Sequence, residues 1–202
     1  VRFASQLNFE LTSNVKDAMI SQKKGLEFIS KERITEEIIK ILKTKKPSKG
    51  FMILNELNLF DEVFPELNEL GGVEVINGMG HKDVFYHTLE VIDNSAKLSD
   101  KMEIRFAALM HDIAKPRTKK FYKDKGWTYY GHEDVGQYMI KKIAKRMKIS
   151  NNLRDYLMLL TKLHLRPIAL AKEGISDSAV RRVLFEAGEH IDDLMILCRA
   201  DI

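Results

Sequence analysis

Apolar residues recur at helical spacing through nearly all of this 202-residue chain, and that periodicity limits what it can become. Ile34, Ile38, Ile41 and Leu42 share one face of a helix opened by Ser30 as N-cap. Lys43, Lys45 and Lys46 stand at its C-terminal end, where positive charge suits the helix dipole, and Pro47 stops it. Phe51, Leu54, Leu57 and Leu59 carry the next helix, and Pro65 with Gly71-Gly72 breaks the segment after it. Further helices are expected at about 83–97, 101–114, 131–147, 151–165, 176–187 and 190–201. The strand-like run is Trp127-Thr128-Tyr129-Tyr130, which with Phe121-Tyr122 reads as one short hairpin near 121–130. The expected fold class is all-α.

The histidines divide the chain. None precedes Gly71, and all six follow Gly80: His81, His87, His111, His132, His164 and His190. This suggests a helical module at 1–72 and a histidine-bearing helical domain at 81–202. Cys198 is the sole cysteine, which excludes an intramolecular disulfide framework and a cysteine-only zinc site. No apolar run approaches the roughly 20 residues of a membrane-spanning helix, and no signal peptide is present, so a soluble, cytoplasmic protein without a membrane partner is expected. Helical pattern runs into both ends, at Val1 and Ile202, and reads as a piece of a longer protein.

The chemistry concentrates at His111-Asp112, an imidazole and a carboxylate side by side at the polar end of an apolar helix that includes Phe106, Ala107, Leu109 and Met110. Burying either group unpaired costs several kcal/mol, so each needs a partner or a cation. Lys115 follows His111 by four residues and lies on the same side, where it can hold a phosphate oxygen. Candidate co-ligands sit one per helix: His87, His132, His164 and Asp201. A bundle directing one N or O ligand inward from each helix is a common way to build a mono- or dinuclear metal site. Mixed imidazole and carboxylate ligation suits Mn, Fe, Ni, Zn or Mg rather than a thiolate-selected metal, and the expected cofactor is one or two divalent ions of Mg, Mn or Ni. Two ions with Asp112 bridging would activate water and clamp a phosphate ester for in-line attack. Taken singly, each histidine reads better as a satisfied core or surface residue than as a ligand; His111-Asp112 together with His87, His132, His164 and Asp201 reverses that balance. His81 at a helix start is either solvated or in contact with substrate, and His190 reads as a surface or capping residue.

His87, then His111-Asp112, then Asp201, each on a separate helix, resembles the H…HD…D signature of the HD-domain phosphohydrolases. His132 and His164 match the additional histidines of members that bind a second metal. The string His111-Asp112-Ile113-Ala114-Lys115-Pro116 resembles the family's metal-binding turn, with Ala114 where glycine is common. Upstream, Arg2-Phe3-Ala4-Ser5-Gln6-Leu7-Asn8-Phe9 and Ile29 through Glu37 resemble the neck of bacterial-type tRNA nucleotidyltransferases, the CCA-adding and poly(A) polymerase family, and Pro47 through Leu67 resembles its body. The resemblance implies a metal-dependent phosphohydrolase acting on phosphomonoesters or 2′,3′-cyclic phosphodiesters, with a nucleotide or RNA 3′ end as substrate. In it His87, His111, Asp112 and Asp201 hold the principal metal. His132 and His164 hold a second metal or neutralise the phosphate, and Lys115 stabilises transition-state charge.

Nucleotidyl transfer needs paired carboxylates holding two Mg²⁺ ions around a triphosphate. No Asp-x-Asp pair occurs in these residues, and the family's Glu-Asp-x-x-Arg nucleotide-selecting motif is also missing. The resemblance therefore puts ATP and CTP in a catalytic head outside this chain. Three basic strips, 43–49, 115–125 and 141–148, hold fifteen of the 33 Lys and Arg residues. They are either solvated helix faces or a phosphate-tracking surface for tRNA, with Lys45, Lys46, Lys119, Lys120, Lys141, Lys142, Lys145 and Arg146 as the candidates. Trp127, Tyr129 and Tyr130 fit core packing of the small hairpin better than base stacking. Two further readings stay open: an HD fold serving as a structural RNA-binding body without turnover, and a free-standing nucleotide phosphohydrolase.

Overall fold

The computed structural model describes residues 1–172 and 176–202. The first part comprises α1 (Arg2–Leu7), α2 (Ser13–Ser21), a 3-10 turn (Lys23–Phe28), α3 (Lys31–Leu42), α4 (Ser48–Glu56) and two single turns, α5 (Phe60–Val63) and α6 (Pro65–Asn68). A hairpin of β1 (Val75–Ile76) and β2 (Met79–Gly80) leads to α7 (Val84–Leu98), α8 (Met102–Met110) and the single turn α9 (Lys115–Thr118). A second hairpin, β3 (Lys120–Tyr122) and β4 (Gly126–Thr128), precedes α10 (His132–Arg146), α11 (Asn151–Leu163), α12 (Leu165–Lys172), α13 (Asp177–Ala187) and α14 (Ile191–Asp201). Among the described residues the regular structure is helical apart from the two hairpins, as the periodicity predicts. Among the described residues no helix is long and apolar enough to cross a membrane.

Side-chain caps fix where helices begin. Ser30, Ser150 and Ser176 each accept a backbone N–H three residues on, opening α3, α11 and α13. Asp83 does more: its Oδ1 accepts the N–H groups of Phe85 and Tyr86 at 2.9 and 3.2 Å, and its Oδ2 accepts Gly72 N–H at 2.9 Å. It thereby caps α7 and ties the preceding loop to it. Asp83→Ala is expected to lower stability by about 1–2 kcal/mol in urea unfolding, with Asp83→Ser recovering part of the loss. A loss below about 0.3 kcal/mol contradicts this.

Several boundaries differ from the expected ones. Pro65 starts α6 rather than breaking it, because the first turn needs no N–H from that position. Pro167 likewise sits in the first turn of α12, a helix the spacing does not predict. The helix expected over 101–114 ends at Met110, and 111–114 form a turn. The hairpin at 75–80 is a further departure. Asn77 and Gly78 both have positive φ, 51° and 76°, the two-residue Asn-Gly connection whose twist matches paired strands. In the expected hairpin the register is Lys120↔Thr128, Phe121↔Trp127 and Tyr122↔Gly126, so strand pairing stops before Tyr129.

One apolar core runs through both parts, from Ile38, Phe51 and Phe64 to Ile92, Phe106 and Leu157. Polar ties reinforce it. The Thr35 hydroxyl donates to Met147 O at 2.7 Å, and Ser48 donates through N–H and hydroxyl to the two oxygens of Asp93 on α7. A smaller cluster of Leu163, Val183, Ala187, Leu194 and Cys198 packs beneath α12–α14. Residues of 1–72 and of 81–202 thus share one core.

Candidate metal centre

Each expected ligand lies on or at the end of a helix: His87 in α7, His111 as the cap of α8 with Asp112 next, His132 opening α10, His164 capping α11, and Asp201 ending α14. The fold gathers all six into two groups, His87–His111–Asp201 and Asp112–His132–His164. Asp112 joins the groups. Its Oδ2 lies 3.2 Å from His111 Nε2 and 3.6 Å from His87 Nε2, while its Oδ1 lies 3.3 Å from His132 Nε2 and 3.8 Å from His164 Nε2. Asp201 Oδ1 is 2.9 Å from His87 Nε2 and 3.4 Å from His111 Nε2.

Backbone carbonyls set the tautomers. His111, His132 and His164 place Nδ1 at 2.7, 2.8 and 2.7 Å from the carbonyl oxygens of Ala108, Tyr129 and Thr161, each three residues back. A carbonyl only accepts, so each Nδ1 carries a proton, and the Nε2 of a neutral ring turns a lone pair into the cluster. Gly136 allows the closest approach: a Cβ there would sit 2.9 Å from Thr161 Cγ2, and this tight packing of α10 on α11 brings His132 Nε2 within 3.4 Å of His164 Nε2.

That arrangement converges acceptors with too few donors. His111 is 0% and Asp112 1% exposed, and His111 Nε2 and Asp112 Oδ1 have no hydrogen-bond partner. Such orphaned buried atoms cost several kcal/mol unless positive charge joins them. Without a metal, a proton supplies it: burial lowers the pKa of the His111 imidazole, but Asp112 and Asp201 outweigh this and raise it to about 10. Burial alone would raise the Asp112 carboxyl, yet His111, His132 and Lys115 hold it well below the usual range. Burial and the neighbouring His111 charge lower His164 to about 4, so it stays neutral with its lone pair available. Four inward imidazoles and two carboxylates therefore fit one or two divalent cations.

Lys115 pairs with Asp112 Oδ2 instead of flanking His111 as expected, because α8 ends at Met110 and the turn redirects it. Above the cluster two adjoining clefts open, of about 630 and 680 Å³. His87 and Asp201 line the first, His132 lines the second, and Lys115, Lys125, Trp127 and Tyr129 line both. Trp127 packs edge-on against Phe121, its cross-strand partner, as expected of the hairpin, and with Tyr129 also lines both clefts, while Tyr130 is exposed and borders the second. Sequence reading misses Lys82 and Lys125 as cleft residues; the Asn77-Gly78 turn signal is the one clue to the wall that carries Lys82. His190 packs edge-to-face on Tyr156 and belongs to neither donor group.

The basic candidates separate. Lys45, Lys46, Lys120, Lys141, Lys142 and Lys145 are exposed and make no ion pair among the described residues. Arg146 is not a free cation: its Nη1 and Nη2 donate to the two oxygens of Glu66 at 2.6 and 2.5 Å, anchoring α10 to α6. Lys119 is likewise engaged, by Glu74 and over the Trp127 ring. These two depart from the sequence expectation because their acidic partners lie far away in the chain.

Residues 8–70 match the family described as the probable RNA and SrmB-binding site of polymerase A, and residues 84–202 match the HD domain. The chain is 30% identical over 214 residues to a protein named multifunctional CCA protein from Shewanella frigidimarina, covering all of this chain and 50% of that relative. It is 32% identical over 170 residues to a protein of the same name from Psychromonas ingrahamii, covering 81% and 41% of the two chains. The corresponding protein of Tolumonas auensis is 27% identical over 191 residues, covering 90% and 45%. The chain thus spans about half the length of the curated relatives it matches. With the HD-domain match extending over more than half its residues and its histidines and aspartates gathered around Asp112, this chain belongs to the HD-domain family.

Proposed function

We propose that the chain is the neck, body and HD-domain portion of a CCA-adding tRNA nucleotidyltransferase, and that its HD domain is a divalent-metal-dependent phosphohydrolase. The substrates are phosphomonoesters or 2′,3′-cyclic phosphodiesters. One observation carries this reading: Asp112 turns one oxygen to His87 and His111, which stand beside Asp201, and the other to His132 and His164. His87, His111, Asp112 and Asp201 would hold the principal ion, and His132 and His164, with Asp112, a second. When bound, the ions supply the positive charge that activates water and draws phosphoryl oxygens together. The protein's own part is orientation. The carbonyls of Ala108, Tyr129 and Thr161 hold the rings, and burial keeps bulk water off Asp112. Lys115 brings its ammonium to the cleft wall, where it neutralises charge growing on a phosphoryl oxygen. Hydrolysis of 2′,3′-cyclic AMP after loading with Ni²⁺, Mn²⁺ or Mg²⁺ tests the activity, with His111→Ala as comparator. Equal metal binding and equal turnover by both proteins would refute the reading.

The partner of the chain is tRNA. The polymerase A RNA-binding match over residues 8–70 and the unpaired lysines of α10 in the histidine-bearing part support it. Lys141→Ala, Lys142→Ala and Lys145→Ala combined should weaken tRNA binding and flatten its dependence on log salt by about 0.9 for each phosphate no longer neutralised. An unchanged slope would remove this strip from the RNA surface.

A further inference from the structure

We propose that residues 73–82, which carry the first hairpin, are a lid over the first cleft, latched shut by His81 in its neutral form, so that acidification opens it. This deepens the proposed function and rests on that reading only for what the lid guards. Met79, Gly80, His81 and Lys82 line the first cleft together with His87 and Asp201 of the candidate metal centre. The segment is lightly built. Its strands have two residues each, and Val73, Val75, Ile76 and Met79 are exposed. None of its residues belongs to either apolar core cluster. Gly71-Gly72 precedes it, with Gly72 at a φ of 101° that favours glycine, and Asp83 follows it as the cap of α7. A segment with so few buried apolar contacts opens at small free-energy cost.

Polar contacts hold it shut. Trp127 Nε1–H donates to Met79 O at 2.9 Å, Lys119 pairs with Glu74 at 2.5 Å, and Glu74 N–H donates to His81 Nε2 at 3.1 Å. His81 Nδ1 lies 2.8 Å from Lys82 O, and since a carbonyl only accepts, Nδ1 carries the proton of the neutral ring. The half-buried ring packs edge-on against Trp127 and Tyr129, at 5.1 and 6.3 Å between centroids, and so joins the lid to the second hairpin and the turn after it. One neutral tautomer satisfies all of these contacts. A protonated ring does not, because its Nε2–H would confront the Glu74 N–H, donor against donor. The charged and titratable groups about the ring are Glu74, Lys82, Lys119 and Tyr129. Glu74 favours a positive ring, but its carboxylate is already paired with Lys119. Lys82 and Lys119 oppose a further positive charge, and burial holds the Tyr129 phenol neutral. The shut lid and a protonated His81 therefore exclude each other. The ratio of open to shut lid should rise by up to about tenfold for each pH unit over which the ring gains its proton.

Trp127 is the sole tryptophan and lies against His81, so its emission reports the latch without metal or turnover. In the presence of a chelator, acrylamide quenching of that emission and hydrogen exchange over residues 73–82 are followed from about pH 8 to about pH 5. Quenching should rise in one reversible step, and the Glu74 amide, corrected for its intrinsic exchange rate, should lose protection about tenfold or more. His81→Gln, whose side-chain carbonyl accepts at every pH, should erase the step and keep the shut state. His81→Ala should be quenched near pH 8 as strongly as the wild type near pH 5, and His190→Gln should retain the step. All three should keep the wild-type far-ultraviolet circular dichroism spectrum. No step in the wild type, an unchanged step in folded His81→Gln, or its loss in folded His190→Gln would overturn the latch. A chain whose step depends on His81 but which hydrolyses no ester with metal defeats only the phosphohydrolase reading. One that hydrolyses esters without a His81-dependent step defeats only the lid.

Discussion

Asp112→Asn is expected to abolish the heat stabilisation that divalent metal gives the wild type and to lower ester hydrolysis by about a thousandfold or more. The carboxylate belongs to one donor group and faces the other, with Oδ2 toward His111 and His87 and Oδ1 toward His132 and His164. An amide keeps the shape but loses the charge, and its NH₂ offers a donor where a ligand oxygen is needed. With metal at about a hundred times its dissociation constant, the wild type gains about 2.7 kcal/mol. For a chain of this size that corresponds to a rise in Tm of roughly 5–10 °C. Scanning both proteins with and without Mn²⁺ or Ni²⁺ measures the effect. A variant whose melting point rises as much as the wild type's would show that Asp112 does not hold the ions.

The largest purely structural effect is expected at Arg105. This side chain is 4% exposed and sits on α8 among buried apolar residues from Ile104 to Met110. Its Nη1 donates to the carbonyls of Leu42 and Thr44 at 3.0 and 3.1 Å, and its Nε and Nη2 donate to Ser99 O at 3.1 and 3.0 Å. These carbonyls lie at the C-terminal ends of α3 and α7, so one guanidinium fastens the first module to the second. Asp100 is also within 3.3 Å, but it is fully exposed and its ion pair contributes little. Arg105→Leu leaves the buried carbonyls without donors and should cost about 3–5 kcal/mol in urea unfolding. Arg105→Lys should recover only part of this, because one ammonium cannot span the same acceptors. A loss below about 1 kcal/mol for the leucine variant would mean that water reaches those carbonyls.

Arg105 also shows where sequence reading stops. Its partners lie up to 63 residues away, and nothing local marks those carbonyls as short of donors. The same holds for Arg146, whose acidic partner Glu66 is 80 residues upstream, so its strip reads as uniformly free positive charge. The candidate ligand set is legible for the opposite reason. His87, His111, Asp112, His132, His164 and Asp201 each interrupt or end an apolar helical face, and a polar group there must meet another when helices pack. Periodicity assigns Lys115 the wrong neighbour because continuing α8 through 114 rotates it toward His111, whereas the turn after Met110 hands it to Asp112. The β1–β2 hairpin does carry a local signal, Asn77-Gly78 between Val75-Ile76 and Met79, but its two-residue strands are too short to show alternation.

The central claim is that two cations sit on either side of Asp112, and anomalous scattering from crystals grown with Mn²⁺ tests it most directly. Two peaks are predicted, one bounded by His87, His111 and Asp201 and one by His132 and His164, both touching Asp112. Crystals that diffract well yet show no anomalous density within about 3 Å of the Asp112 oxygens would contradict the account.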